Sequence, residues 1–216
     1  MTETIHARAV LLDMDGTLVD STAVVERLWL EWAAPHGLDR ERVLSVVHGR
    51  QGHQSMAILL PEREHEVNLT ENAEMLARES GDVDGVVAIA GAAELLDALD
   101  GHPHAIVTSA DVALMTARMG AAGLAIPHPQ ITAESVSASK PHPEGFLSAA
   151  EALGIEPIDC VVFEDSEAGI QAGLAAGMRV IGVGAHAGAH HPTFVVADLT
   201  EVSIATDEAG LTLTLS

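Results

Sequence analysis

The sequence predicts an α/β protein: a parallel sheet core, interrupted after its first strand by an all-helical insertion, with a β-hairpin near its C-terminal end. Three observations carry that expectation. The apolar run Ala9–Leu12 ends abruptly in Asp13-Met14-Asp15-Gly16-Thr17, as a buried strand does when it presents ligands at its carboxyl end. Between Ser21 and roughly Ser80 the apolar spacing is helical, with no strand pattern. From Gly91 onward short apolar runs alternate with helical stretches, the pattern of a Rossmann-like sheet with helices on both faces.

The first helix of the insertion places Val24, Val25, Leu28, Trp29 and Trp32 at helical spacing, and Pro35-His36-Gly37 ends it. Asp39 stands where an N-cap is needed for the next. Helical signals continue around residues 55–60 and through the polar segment 61–80, where Leu69, Met75 and Leu76 supply apolar contacts. Gly81-Asp-Val-Asp-Gly85 reads as the return linker. The chain thus divides into a core of residues 1–19 and 86–216 and a helical cap of residues 20–85, with hinges expected near 19–20 and 81–85. In the core, 91–99, 111–119, 143–153 and 168–176 read as helices, and 104–107, 130–132, 160–163, 180–183 and 194–196 as strands. Segments 202–206 and 211–215 alternate apolar and polar residues about a turn-like 207–210, hence the hairpin.

Hydrophobic residues make up 48% of the 216 positions, enough for a sizeable core. The formal net charge of −22 argues against nucleic acid or an anionic membrane as partner. No stretch is long and apolar enough to span a bilayer, and no basic-then-apolar leader opens the chain. The single cysteine, Cys160, has no intramolecular partner and begins an apolar run, so it reads as a small buried residue; a cytoplasmic monomer is the expectation. Nine of the ten basic residues are arginine, and Lys140 is the only lysine. A position that keeps a compact ammonium amid arginines points to a need for a point charge.

Three strands end in polar residues: Asp13 and Asp15, then Thr108 and Ser109, then Glu164 and Asp165. Lys140 stands at a loop-to-helix junction just before Pro141. A parallel sheet gathers these ends along one edge. Four carboxylates without nearby Cys or His ligands suit Mg²⁺ better than zinc. Asp13 and Asp15, two apart on an extended chain, point the same way and repel, so a cation or a shared proton is expected between them. The set is that of phosphoryl transfer through an aspartyl-phosphate.

In order and spacing, Asp13-Met14-Asp15-Gly16-Thr17, Thr108-Ser109, Lys140 and Glu164-Asp165 resemble the four motifs of the haloacid dehalogenase-like (HAD) hydrolases, and the helical insertion resembles that family's cap. Ala23-Val-Val-Glu-Arg27, Trp32, His36-Gly37-Leu38 and His48-Gly49-Arg50-Gln51 are similar to bacterial sugar and polyol phosphate phosphatases, a group related to the 2-deoxyglucose-6-phosphate and glycerol-3-phosphate phosphatases. The resemblance implies a Mg²⁺-dependent phosphatase acting on a small phosphorylated sugar or polyol. It makes Asp13 the nucleophile and Asp15 the acid and base. Mg²⁺ would be held by Asp13 and Asp165 through side chains, by Asp15 through its carbonyl, and by Glu164 mainly through a water. Thr108 and Lys140 would hold the phosphoryl oxygens, helped by the N–H groups of Met14, Asp15 and Ser109.

Other readings compete. A phosphosugar mutase of this fold tends to carry a histidine in the first cap helix, where this chain has Glu26. A dehalogenase does not need the acid at Asp15. A non-catalytic binding module is at odds with a complete catalytic set. In the cap, His48, Gly49, Arg50 and Gln51 are read as substrate contacts rather than a structural turn around Gly49. Trp29 and Trp32 are read as packing rather than a sugar platform. Asp20 and Ser21 stand open between capping the first cap helix and serving the site. His186, His190 and His191 are read as a polar loop, since a zinc site needs a better organised set.

Overall fold

A computed structural model describes residues 2–207 and 210–216. The strands are β1 (Glu3–Ala7), β2 (Ala9–Leu12), β3 (Val19–Asp20), β4 (Val87–Ala88), β5 (His104–Val107), β6 (Gln130–Ile131), β7 (Cys160–Glu164), β8 (Arg179–Val183), β9 (Phe194–Val196), β10 (Val202–Asp207) and β11 (Gly210–Leu215). The helices are α1 (Thr22–Ala33), α2 (Arg40–Leu44), α3 (Gly52–Leu59), α4 (His65–Gly81), α5 (Ala92–Leu99), α6 (Val112–Ala121), α7 (Glu144–Leu153) and α8 (Glu167–Ala175).

The core sheet is wholly parallel, in the order β6-β5-β2-β7-β8-β9. Every residue of β2 is buried, as a central strand covered on both faces requires. The period of two sorts the side chains cleanly. Val10, Leu12, Ile106, Val161 and Phe163 face the layer that holds Leu95, Leu99, Leu114, Met115 and Met119 of α5 and α6. Ala9, Leu11, Ala105, Val107, Cys160 and Val162 face Phe146, Ala149, Ala150, Ile170 and Ala172 of α7 and α8. The chain enters at β2, builds outward through β5 and β6, and then returns to β7 on β2's other side. That reversal opens a crevice at the carboxyl ends of β2, β5 and β7.

Local chemistry sets the helix starts. The Asp39 carboxylate accepts from the Arg42 N–H at 3.2 Å and opens α2. Asp111 accepts from Leu114 N–H at 2.8 Å, and Ser166 from Gly169 N–H at 3.1 Å, opening α6 and α8. Pro143 precedes α7 in the capping position rather than forming its first turn.

The structure adds to the sequence expectations in three places. The C-terminal hairpin strands are two of three, because β1 pairs antiparallel with β11, Ile5 opposite Leu213. Ile5, Ala7, Leu211, Leu213 and Leu215 then bury one face of that small sheet. The expected hairpin turn falls partly on residues 208 and 209, outside the described residues. Beside the return linker of residues 81–85, the two passages between core and cap are joined: β3 and β4 pair antiparallel, Val19 opposite Ala88 and Asp20 opposite Val87. Ser21 makes no capping bond to α1, whereas Asp20 Oδ1 accepts from Thr22 N–H at 3.0 Å.

Candidate active site

The turn after β2 is drawn tight by the Met14 carbonyl, which accepts from the N–H groups of Leu18 and Val19 at 2.8 and 2.9 Å. Gly16 bends it at φ 85°, a left-handed conformation that favours glycine. A Cβ on Gly16 would also run into the Asp165 carboxylate, so the glycine lets the turns after β2 and β7 approach each other.

That approach assembles the charged centre. One oxygen each of Asp13, Glu164 and Asp165 all lie within 4.8 Å of one another. Lys140 is 6% exposed and uses all three of its protons: on Asp13 Oδ1, on Glu164 Oε1 at 2.8 Å and on the Val107 carbonyl at 3.0 Å. Glu164 closes its own account with Ser166, accepting from its N–H at 2.8 Å and its hydroxyl at 2.9 Å. Asp165 Oδ1 is sealed from solvent and has no hydrogen-bond partner.

Charge balance follows from this inventory. Burial would push Lys140 down, but the carboxylates of Asp13 and Glu164 outweigh it and hold the ammonium above its ordinary value. Burial first, and then the charge of Glu164, push Asp13 up to about 8 against the opposing pull of Lys140. Asp165 is raised well above its ordinary value by burial and by the charges of Glu164 and Asp13. Three crowded carboxyls share one ammonium, and one buried carboxylate oxygen is unpartnered. An all-oxygen divalent-cation site fits that deficit of positive charge and that donor set. Among the described residues this is the one cluster of Asp, Glu, His or Cys close enough to hold a metal, and His186, His190 and His191 form no such group.

Asp15 stands apart from its neighbour. Its Oδ1 accepts from the Ser21 hydroxyl and its Oδ2 from Arg118 Nη1, each at 2.7 Å. Asp13, Asp15, Thr108, Ser109 and Asp165 line a cavity of about 100 Å³ with the cap residues His48, Gly49, Arg50, Asn72 and Glu79. Thr108 Oγ1 accepts from Ala110 N–H at 3.1 Å, and the Ser109 hydroxyl donates to the Gly49 carbonyl at 3.2 Å, tying cap to core.

The structure therefore brings together Asp13, Asp15, Thr108, Ser109, Asp165, His48, Gly49 and Arg50 around one cavity. Lys140 and Glu164 lie behind it, Lys140 touching a smaller adjoining space. Gln51 is not in the main cavity; its amide donates to the Ala133 carbonyl at 3.2 Å and so locks the cap loop to the core. Trp29 does reach the cavity wall, and it also packs edge-on against Trp32 at 5.4 Å. The residues that sequence reasoning missed are Arg118 and Glu79. The available signal was a charged residue on an apolar helical face: Arg118 follows Leu114 and Met115, and Glu79 follows Met75, at inward spacing.

A sequence model described as haloacid dehalogenase-like hydrolase matches residues 7–177. The chain belongs to the haloacid dehalogenase-like hydrolases. Within this family it is 41% identical over 184 residues to hexitol phosphatase A of Escherichia coli (strain K12), covering 84% of this chain and 85% of that protein. It is 31% identical over 192 residues to glycerol-1-phosphate phosphohydrolase 2 of Saccharomyces cerevisiae, covering 83% and 75%. A hydrolase from Pseudomonas syringae has the same fold, with TM-score 0.76, 26% identity and coverage of 89% and 94%.

A Cβ on Gly169 would overlap the Glu164 carboxylate, and Glu164 is fully buried. Gly169→Ala is expected to cost about 1–3 kcal/mol through overpacking, seen as a lower thermal unfolding midpoint.

Proposed function

We propose that this HAD hydrolase is a Mg²⁺-dependent phosphatase that hydrolyses small sugar or polyol phosphates through an aspartyl-phosphate on Asp13. One observation carries the reading: a buried Asp13, backed by Lys140 and flanked by Asp165, forms the floor of a cavity whose far wall belongs to the cap. The relatives named as hexitol and glycerol-1-phosphate phosphatases support the substrate class.

Mg²⁺ would be held by the Asp13 and Asp165 side chains and the Asp15 carbonyl, and would supply positive charge to offset that of the transferring phosphoryl group. Asp13 attacks phosphorus through the carboxylate oxygen that Lys140 leaves free. Thr108, with the N–H groups of Met14, Asp15 and Ser109, offers hydrogen bonds to the phosphoryl oxygens as charge moves onto them. Lys140 balances the charge of Asp13 and Glu164, and a bond from it to a phosphoryl oxygen would replace one of its three present contacts. Asp15 gives a proton to the departing sugar oxygen and later takes one from the attacking water. Glu164, committed to Lys140 and Ser166, orients the lysine more than it reaches for a ligand. His48, Gly49 and Arg50 contact the substrate from the cap, residues 20–85, while Gln51 holds their loop in place. The lone buried Cys160 fits a cytoplasmic setting, and we read the protein as a monomer. A mutase is the second reading; Glu26 pairs with Arg40 at 3.1 Å, an exposed structural use of that position.

Free-phosphate release across a panel of sugar, polyol and glycerol phosphates tests both readings. The expected result is stoichiometric phosphate from at least one of them, abolished by chelator and restored by Mg²⁺. Isomerised sugar phosphate with little free phosphate would establish the mutase instead. Turnover undiminished by chelator would remove the metal from the mechanism.

A further inference from the structure

We propose that Arg118 is a positioning residue for proton transfer, set in place by Glu79 of the cap, so that the acid Asp15 is aligned when the cap sits on the core. The inference rests on the phosphatase reading and goes beyond it to a residue outside the four motifs.

Arg118 projects from the inward face of α6 and is 3% exposed. Its Nη1 donates to Asp15 Oδ2 and its Nη2 to Glu79 Oε2, both at 2.7 Å. Asp15 belongs to the core turn after β2, and Glu79 to the last turns of α4 in the cap. One guanidinium therefore spans the two units in the wall of the cavity. A guanidinium is a rigid plane whose donors leave in fixed directions. Anchoring one Nη on Glu79 therefore aims the other at Asp15. The Ser21 hydroxyl holds the second oxygen of Asp15, and Ser21 is the residue at which the chain turns into α1. Both restraints on Asp15 thus run through the cap or its entrance, and together they pin the carboxyl group about its last torsion. A lysine at 118 would keep the charge and lose the two-pronged geometry.

The step affected is the first half-reaction. As an Asp13 oxygen bonds to phosphorus, the ester O–P bond breaks and the proton on Asp15 passes to the departing oxygen. A sugar alkoxide is a poor leaving group and needs that proton; p-nitrophenolate departs without it. Because kcat/KM covers only the steps up to the first irreversible one, it isolates this half from the later hydrolysis.

The experiment compares kcat/KM for the sugar or polyol phosphate that the wild-type enzyme turns over fastest with kcat/KM for p-nitrophenyl phosphate, in wild type, Arg118→Lys and Glu79→Gln. General acid catalysis contributes about 10²–10⁴-fold, and misalignment forfeits part of it. Arg118→Lys is expected to lose about 10- to 100-fold on the sugar phosphate and less than about threefold on p-nitrophenyl phosphate, a leaving-group contrast that a merely structural role would not produce. Glu79→Gln is expected to show a smaller loss of the same selectivity, and the double variant to be no worse than Arg118→Lys, because the two residues act as one unit. Glu79→Gln also keeps the proposal testable should Arg118→Lys fail to fold. Equal losses on both substrates, or an unchanged or faster sugar reaction, would overturn the positioning role and leave the phosphatase reading standing. A wild-type protein inactive on every sugar and polyol phosphate would overturn both.

Discussion

Asp13→Asn is expected to abolish phosphate release, by at least about 10³-fold, while leaving the fold intact. The amide cannot attack phosphorus, and it offers one acceptor where the carboxylate offered two. Its effect on stability runs the other way. Asp13 is 5% exposed, and burial together with Glu164 raises its pKa from 3.8 to about 8. Between those two values the folded protein retains a proton that the unfolded chain has released. Raising the pH through that window therefore draws the wild type toward unfolding. Asparagine has nothing to titrate, and Lys140 keeps Glu164 and the Val107 carbonyl as partners. In chelator, the melting temperature of Asp13→Asn should match the wild type near pH 4 and pull ahead of it as the pH rises toward 8. Thermal unfolding across that range checks the sign, and a variant that falls behind with rising pH would contradict the charge balance. Wild-type phosphate release by the variant would end the case for Asp13 as nucleophile.

Lys140 should be the most costly residue to replace. It is buried, and all three of its protons are in use. Lys140→Met leaves Glu164 fully buried without its cation, and removing one partner of a buried ion pair costs about 3–5 kcal/mol. In a chain of this size that corresponds to a fall of roughly 10 °C in melting temperature. Lys140→Arg keeps the charge but not the shape: a planar fork cannot converge on two carboxylates and a carbonyl from the space of an ammonium. The Phe146 ring, 5.2 Å from the nitrogen, leaves little room for adjustment. Turnover of Lys140→Arg is expected to drop about 100-fold or more, measured by phosphate release with protein stability monitored alongside. Wild-type turnover would show that any cation suffices there.

Asp13 was legible in the sequence because strand ends are, and Lys140 because it is the one lysine among nine arginines. Apolar runs such as Ala9–Leu12 and Cys160-Val-Val-Phe163 announce where a parallel sheet stops, and the polar residues that follow must meet. The insertion was legible for a similar reason, as a helical period intervening between strands. Strand β1 was not. Its two buried residues, Ile5 and Ala7, are few, and their partners lie some two hundred positions away in β11, a distance over which local patterning carries no information. Arg118 and Glu79 were missed on different grounds. Each falls at inward spacing on its helix, a sign that it is buried, but only the meeting of α4 with α6 shows that the partner is the other. The loop 48–51 read as one unit of substrate contacts; the structure divides it, because a change of direction at Gly49, φ 77°, is followed by Gln51 turning toward the core.

The paired passage between β3 and β4 has an evolutionary consequence. The inserted helices leave and re-enter the sheet domain side by side, through strands joined by two antiparallel residue pairs. A stretch whose two ends already touch can be exchanged for another of different length without shifting any strand of the parallel sheet or stretching any loop, and closing a shorter connection there has a small entropic cost. On the proposed reading, in which the cap of residues 20–85 contacts the substrate, selectivity would then be inherited as a cassette, provided a graft preserves an acidic group able to meet Arg118.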